Sequence, residues 1–78
     1  MLKQKFTVEV NNIELDLGFI KSRRIKLELT LQNVAEQLGF KNASTYLKYE
    51  NGDYLFRANM LPRLAIVLDC KVENFFKK

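Results

Sequence analysis

The residues best equipped for chemistry in this chain are cations and small polar groups rather than nucleophiles or bases. Lys21, Arg23, Arg24 and Lys26 crowd one short stretch, and Lys41, Asn42, Ser44 and Lys48 are interleaved with apolar residues in another. Ammonium and guanidinium groups neutralise and hydrogen-bond anionic oxygens, while amides and hydroxyls both donate and accept. Histidine, the commonest general base and metal ligand, is absent, and Cys70 is the single cysteine. There is no glycine-rich phosphate loop and no nucleophile–base pair, so neither enzyme activity nor a metal, cofactor or small-molecule substrate is expected. A lone cysteine forms no intramolecular disulfide and points to a reducing compartment. The formal charge is +4 over 78 residues, 47% of them hydrophobic. That suits one small domain, and from charge alone the basic cluster reads as a solvated helix face before it reads as a set of phosphate contacts. No stretch has the length and apolarity of a membrane span or secretory leader, so a cytoplasmic location without a membrane partner is expected.

The elements that must position these groups are legible from Thr30 to Gly52, TLQNVAEQLGFKNASTYLKYENG. Thr30 can cap a helix whose buried face carries Val34, Ala35 and Leu38. Gly39 can take the left-handed conformation that stops one helix and redirects the chain into the next. Asn42 offers a second cap, Tyr46 and Tyr49 turn toward the core, and Asn51-Gly52 ends the segment. Two short amphipathic helices joined by such a turn form a helix-turn-helix, a unit whose second helix usually enters the major groove of DNA. On that helix, about Asn42–Asn51, the outward positions are Asn42, Ala43, Ser44, Leu47 and Lys48. Lysine reaches guanine edges or phosphates, serine pairs with any base, and Leu47 suits a thymine methyl. Lys41 and Gln32 are placed to reach the backbone, as are Lys21 and Arg23 on a preceding helix from about Leu17 to Glu28. Arg24, spaced from Ile20 and Leu27 so as to face inward, requires a buried partner.

With Ile20 and Arg24 ahead of Leu29-Thr30, then VAEQLG, Ser44-Thr45, Tyr49-Glu50-Asn51-Gly52 and LPRLAIVLDCKVENFF, residues 17 to 76 resemble the Cro and phage-repressor-like, or XRE, helix-turn-helix family. The resemblance implies an all-α, five-helix domain and an ion pair between Arg24 and Glu50. It also implies sequence-specific double-stranded DNA binding by a small transcriptional regulator, most naturally a repressor of phage or mobile-element type acting as a homodimer. Three departures weigh against the DNA reading, one being that Ala43 and Ser44 are short and leave few strong base contacts. Leu31 replaces a common glutamine, and Asp53-Tyr54-Leu55-Phe56 replaces a loop that is commonly basic.

The remaining sequence supplies a platform and an extension. A fourth helix is expected over Ala58–Leu68, with Leu61, Leu64, Ala65 and Leu68 on one stripe and Pro62 tolerated in the first turn. A short fifth helix around Val72, Phe75 and Phe76 closes the core. Residues 1–16 are read as an extension to a domain spanning 17–78. There Phe6, Val8 and Val10, then Ile13, Leu15 and Leu17, alternate with polar residues about Asn11-Asn12, a β-hairpin pattern with Asp16 as the cap of helix one. The rival reading starts helix one early at an Asn12 cap, leaving Gly18 in its interior. Tyr54, Leu55, Phe56, Ile66 and Val67 form a candidate interface, for a second copy or for a hairpin folding back. With Leu47, that apolar loop also fits an alternative function as a protein-interaction module, such as an antirepressor or a partner of a larger regulator.

Overall fold

The computed structural model describes residues 14–77. Among the described residues four α-helices follow one another: α1 (Leu17–Lys26), α2 (Leu31–Gln37), α3 (Ala43–Asn51) and α4 (Leu61–Val67). Two 3-10 turns, Ala58–Met60 and Val72–Phe75, complete the order. The all-α class holds, but the expected count of five helices does not. The residues expected to open the fourth helix form the separate 3-10 turn, leaving Pro62 in the first turn of α4, where no intrahelical N–H is required. The expected fifth helix is too short for α-helical propagation and closes as the 3-10 turn Val72–Phe75, with the Lys71 N–H held by Asn74 Oδ1 at 3.0 Å.

Helices α1, α2 and α3 each begin where a side chain satisfies an orphan N–H group, whereas α4 starts without a side-chain cap. Asp16 Oδ1 accepts from the Phe19 N–H at 3.0 Å. Thr30 and Asn33 cap α2 reciprocally: Thr30 Oγ1 accepts from the Asn33 N–H at 2.9 Å, and Asn33 Oδ1 accepts from the Thr30 N–H at 3.0 Å. All four helices also end alike, with one residue at positive φ followed by a backward N–H bond to the last turn. At α2 this is Gly39 (φ 89), after which the Phe40 N–H reaches the Ala35 carbonyl at 2.8 Å. At α3 it is Gly52 (φ 91), with the Asp53 N–H on the Lys48 carbonyl at 2.8 Å. The other two stops use residues with a Cβ, Glu28 (φ 60) after α1 and Asp69 (φ 52) after α4.

Helices α2 and α3 make the most extensive pairing in the domain. The core between them, α1 and α4 contains Ile20, Val34, Ala35, Tyr46, Leu61, Leu64, Ala65, Leu68 and Phe75, all buried. Phe75 closes the lower end against Phe19, ring to ring at 6.2 Å.

The expected hairpin is not supported. Its first strand and turn lie outside the described residues. The described remainder of its second strand pairs with the chain end, through a single antiparallel bridge from Leu15 to Phe76. The Asp16 N–H donates to the Phe75 carbonyl at 2.6 Å, and the Lys77 N–H to the Glu14 carbonyl at 2.9 Å. This backbone clasp fixes the entry to α1.

Candidate nucleic-acid interface

The outer face of α3 is organised from its first residue. Asn42 Oδ1 accepts three bonds, from the Thr45 N–H (3.1 Å), Ser44 Oγ (2.8 Å) and Thr45 Oγ1 (3.0 Å), leaving its amide N–H groups directed elsewhere. Tyr46 and Glu50, one turn apart, are buried, whereas Asn42, Ser44, Lys48 and Asn51 are exposed. Ala43, Thr45 and Leu47 are half-buried, so Leu47 offers only part of its side chain to the outside.

What holds that face in place is the Arg24–Glu50 pair. Arg24 Nε donates to Glu50 Oε2 at 2.9 Å and Nη2 to Oε1 at 3.0 Å, a two-pronged charge-assisted bond. The third nitrogen, Nη1, reaches the Leu29 carbonyl at 3.1 Å, so one guanidinium ties α1, the loop before α2 and the last turn of α3. The side chains are 12% and 1% exposed, so the pair is effectively out of water. The Glu50 hydrogen bond raises the Arg24 pKa further above its already high ordinary value. Beside it the Tyr46 hydroxyl is buried without a partner in hydrogen-bonding geometry. Burial first, and the Glu50 charge second, push this phenol far above its usual range. Burial also raises the Cys70 thiol, which favours the less reactive protonated form.

The other expected contact residues are distributed unequally. Lys21 and Lys41 are exposed, and exposed Gln32 donates to Glu36 Oε2 at 2.9 Å. Arg23 is turned away to another task. Its Nε donates to the Leu68 carbonyl at 2.8 Å and its Nη2 to the Asp69 carbonyl at 2.7 Å, capping the C-terminal end of α4. Of the candidate interface residues, Phe56 and Val67 pack against the core, while Tyr54, Leu55 and Ile66 are 45%, 85% and 74% exposed.

Three exposed residues were not among the sequence candidates. Asn51 ends α3, and Arg57 and Arg63 flank a groove beside Phe40 and Tyr49, with Arg63 Nη1 at 3.4 Å from the Gln37 carbonyl. The position of Asn51, one turn after Leu47, was the available signal for the first. Nothing local announces the arginines, because the groove between α2 and α4 exists only after folding. Among the described residues no cluster of three His, Cys, Asp or Glu side chains could hold a metal. No helix among them is long and apolar enough to cross a membrane.

A capped α2, a left-handed glycine and an α3 anchored from behind define a helix-turn-helix domain, the class built to present its second helix to DNA. The pattern of the helix-turn-helix family matches residues 20–75, and the chain belongs to that family of DNA-binding regulators, in its Cro- and XRE-like form. No curated protein matches the chain.

Proposed function

We propose that this protein is a sequence-specific regulator of transcription, acting as a repressor that lays α3 in the major groove. The observation that carries this reading is the polarity of α3. Its back is locked by the buried Arg24–Glu50 pair and Tyr46, while its front carries the exposed Asn42, Ser44, Lys48 and Asn51 with the half-buried Ala43 and Leu47 among them. Ser44 and the Asn42 amide meet base edges, Leu47 and Ala43 brush thymine methyls, and Lys48, Lys41, Gln32 and Lys21 engage the backbone. Arg23 is left out of this contact set, because its Nε and Nη2 donate to the Leu68 and Asp69 carbonyls. Two copies reading half-sites one DNA turn apart, about 34 Å, constitute the working unit, in the cytoplasm.

The test is binding to the DNA upstream of its own coding sequence, followed by fluorescence anisotropy. Affinity should fall steeply between low and moderate salt. Lys48→Ala should weaken binding several-fold with an unchanged melting temperature. Lack of DNA affinity at low salt would overturn the reading.

The exposure of Leu55 and Ile66 favours a second reading, in which the same domain docks a protein partner. Leu55→Ser and Ile66→Ser should then abolish partner capture while DNA affinity stays intact. Loss of DNA affinity with capture unchanged would dismiss it.

A further inference from the structure

Lys48 is the sole cation within α3, and its charge does not stand free. Its Nζ lies 5.3 Å from the centroid of the Tyr54 ring, within the range at which an aromatic face attracts an ammonium group. Tyr54 is itself held in place. Its N–H donates to the Lys48 carbonyl at 3.1 Å, and the Asp53 N–H shares that acceptor. Its ring meets Tyr49 edge-on, at 5.4 Å and 77°, and Tyr49 is stacked on Phe40 at 5.4 Å and 13°. A helical side chain leans by default toward the helix N-terminus. Tyr54 follows the C-terminal turn of α3, so its ring draws the ammonium the other way, off the middle of the outer face. The centre of that face is left to Ala43, Ser44 and Leu47.

We infer that Tyr54 is a positioning residue which aims Lys48 at a backbone phosphate flanking the groove instead of at a base edge. The inference rests on the DNA-binding reading above. It gives the apolar loop, which lacks the phosphate-binding cations expected there, a way to contribute to affinity through a neighbour.

The experiment compares wild type, Tyr54→Leu, Tyr54→Phe, Lys48→Gln and the Lys48→Gln/Tyr54→Leu double variant on two unrelated duplexes across a salt series. Lys48→Gln should weaken both duplexes equally and flatten the log–log salt slope by about one per bound protomer. Tyr54→Leu should weaken both by about two- to five-fold, the range of an exposed cation–aromatic contact, with the slope unchanged because the charge remains. Tyr54→Phe keeps the ring and should match wild type. The Tyr54→Leu effect should vanish in the Lys48→Gln background. In the free protein, the Lys48 ε-methylene protons should be shifted upfield by the ring in wild type and Tyr54→Phe.

Unshifted methylene protons in wild type overturn the inference without need of any Tyr54 variant, should Tyr54→Leu fold poorly. So does a Lys48→Gln variant that changes the preference between duplexes, or additive losses in the double variant. A wild-type protein with no affinity for either duplex at low salt brings down the DNA-binding reading as well.

Discussion

At the scale of single residues, the domain depends on the buried ion pair of Arg24 and Glu50, with the Tyr46 hydroxyl buried beside it. Both Glu50 oxygens are used, and the guanidinium satisfies a backbone carbonyl with its remaining nitrogen. Removing one member strands the other charge away from water, at about 3–5 kcal/mol, a large share of the stability of any domain this size. Arg24→Ala should therefore be largely unfolded in urea concentrations that leave wild type intact, whereas Arg24→Met/Glu50→Leu should regain most of the loss. Circular dichroism across a urea series checks both. Tyr46 adds a pH effect whose sign follows from its raised pKa. Below pH ~10 the phenol is protonated in both folded and unfolded chains and the stability is unaffected. Above pH ~10 the unfolded chain ionises first, so each further unit removes about 1.4 kcal/mol until the folded-state pKa is reached. Tyr46→Phe should abolish that part of the alkaline loss and should not destabilise at neutral pH, since it deletes an unpartnered buried hydroxyl. The difference between the two proteins' melting curves at successive pH values above 10 is the measurement.

At the scale of elements, the starts of α1, α2 and α3 were legible in the sequence, the start of α4 was not, and the ends were only partly so. Asp16, Thr30 and Asn42 cap as expected because a cap is a contact between residues three apart. Gly39 and Gly52 announced their stops because glycine is the residue that accepts positive φ without strain. Glu28 and Asp69 adopt the same conformation with a Cβ, which no sequence pattern marks. Long-range partners were equally silent. Nothing near Arg23 reveals that its donors meet the carbonyls of Leu68 and Asp69, and nothing near Leu15 foretells Phe76. The inward turn of Tyr46 and the outward turn of Lys48 followed from helical spacing, while the ring of Tyr54 over Lys48 depends on how a loop folds back. The shared geometry of the four stops gives a paired prediction. Gly39→Ala, though its Cβ would meet nothing within 4 Å, should lose about 1–2 kcal/mol to backbone strain alone. Glu28→Gly should gain about 0.5–1 kcal/mol, the strain relieved less the added freedom of the unfolded chain. For a domain of this size the second change corresponds to a rise of roughly 2–8 °C in melting temperature, measurable by calorimetry.

At the scale of the whole molecule, a modest positive charge has to do the work of holding a polyanion. The formal charge of +4 hides an uneven layout, in which Arg24 is neutralised by Glu50 and Arg23 is spent on α4. In the proposed interface, the exposed cations Lys21, Lys41 and Lys48 therefore bear a larger part of any phosphate contact than the total suggests. Each phosphate neutralised steepens the dependence of log affinity on log salt by about 0.9. This relation also counts protomers, because a symmetric complex loses one contact per copy with every substitution. Lys41→Gln should thus flatten the slope by about two if the regulator binds as the proposed homodimer, and by about one if a single copy binds. Anisotropy titrations of one duplex at four or five salt concentrations resolve the two values. A slope that does not change removes Lys41 from the interface. A value near one would leave α3 as the reading element but would require half-sites to be recognised singly, without the two-fold symmetry that the proposed repressor relies on.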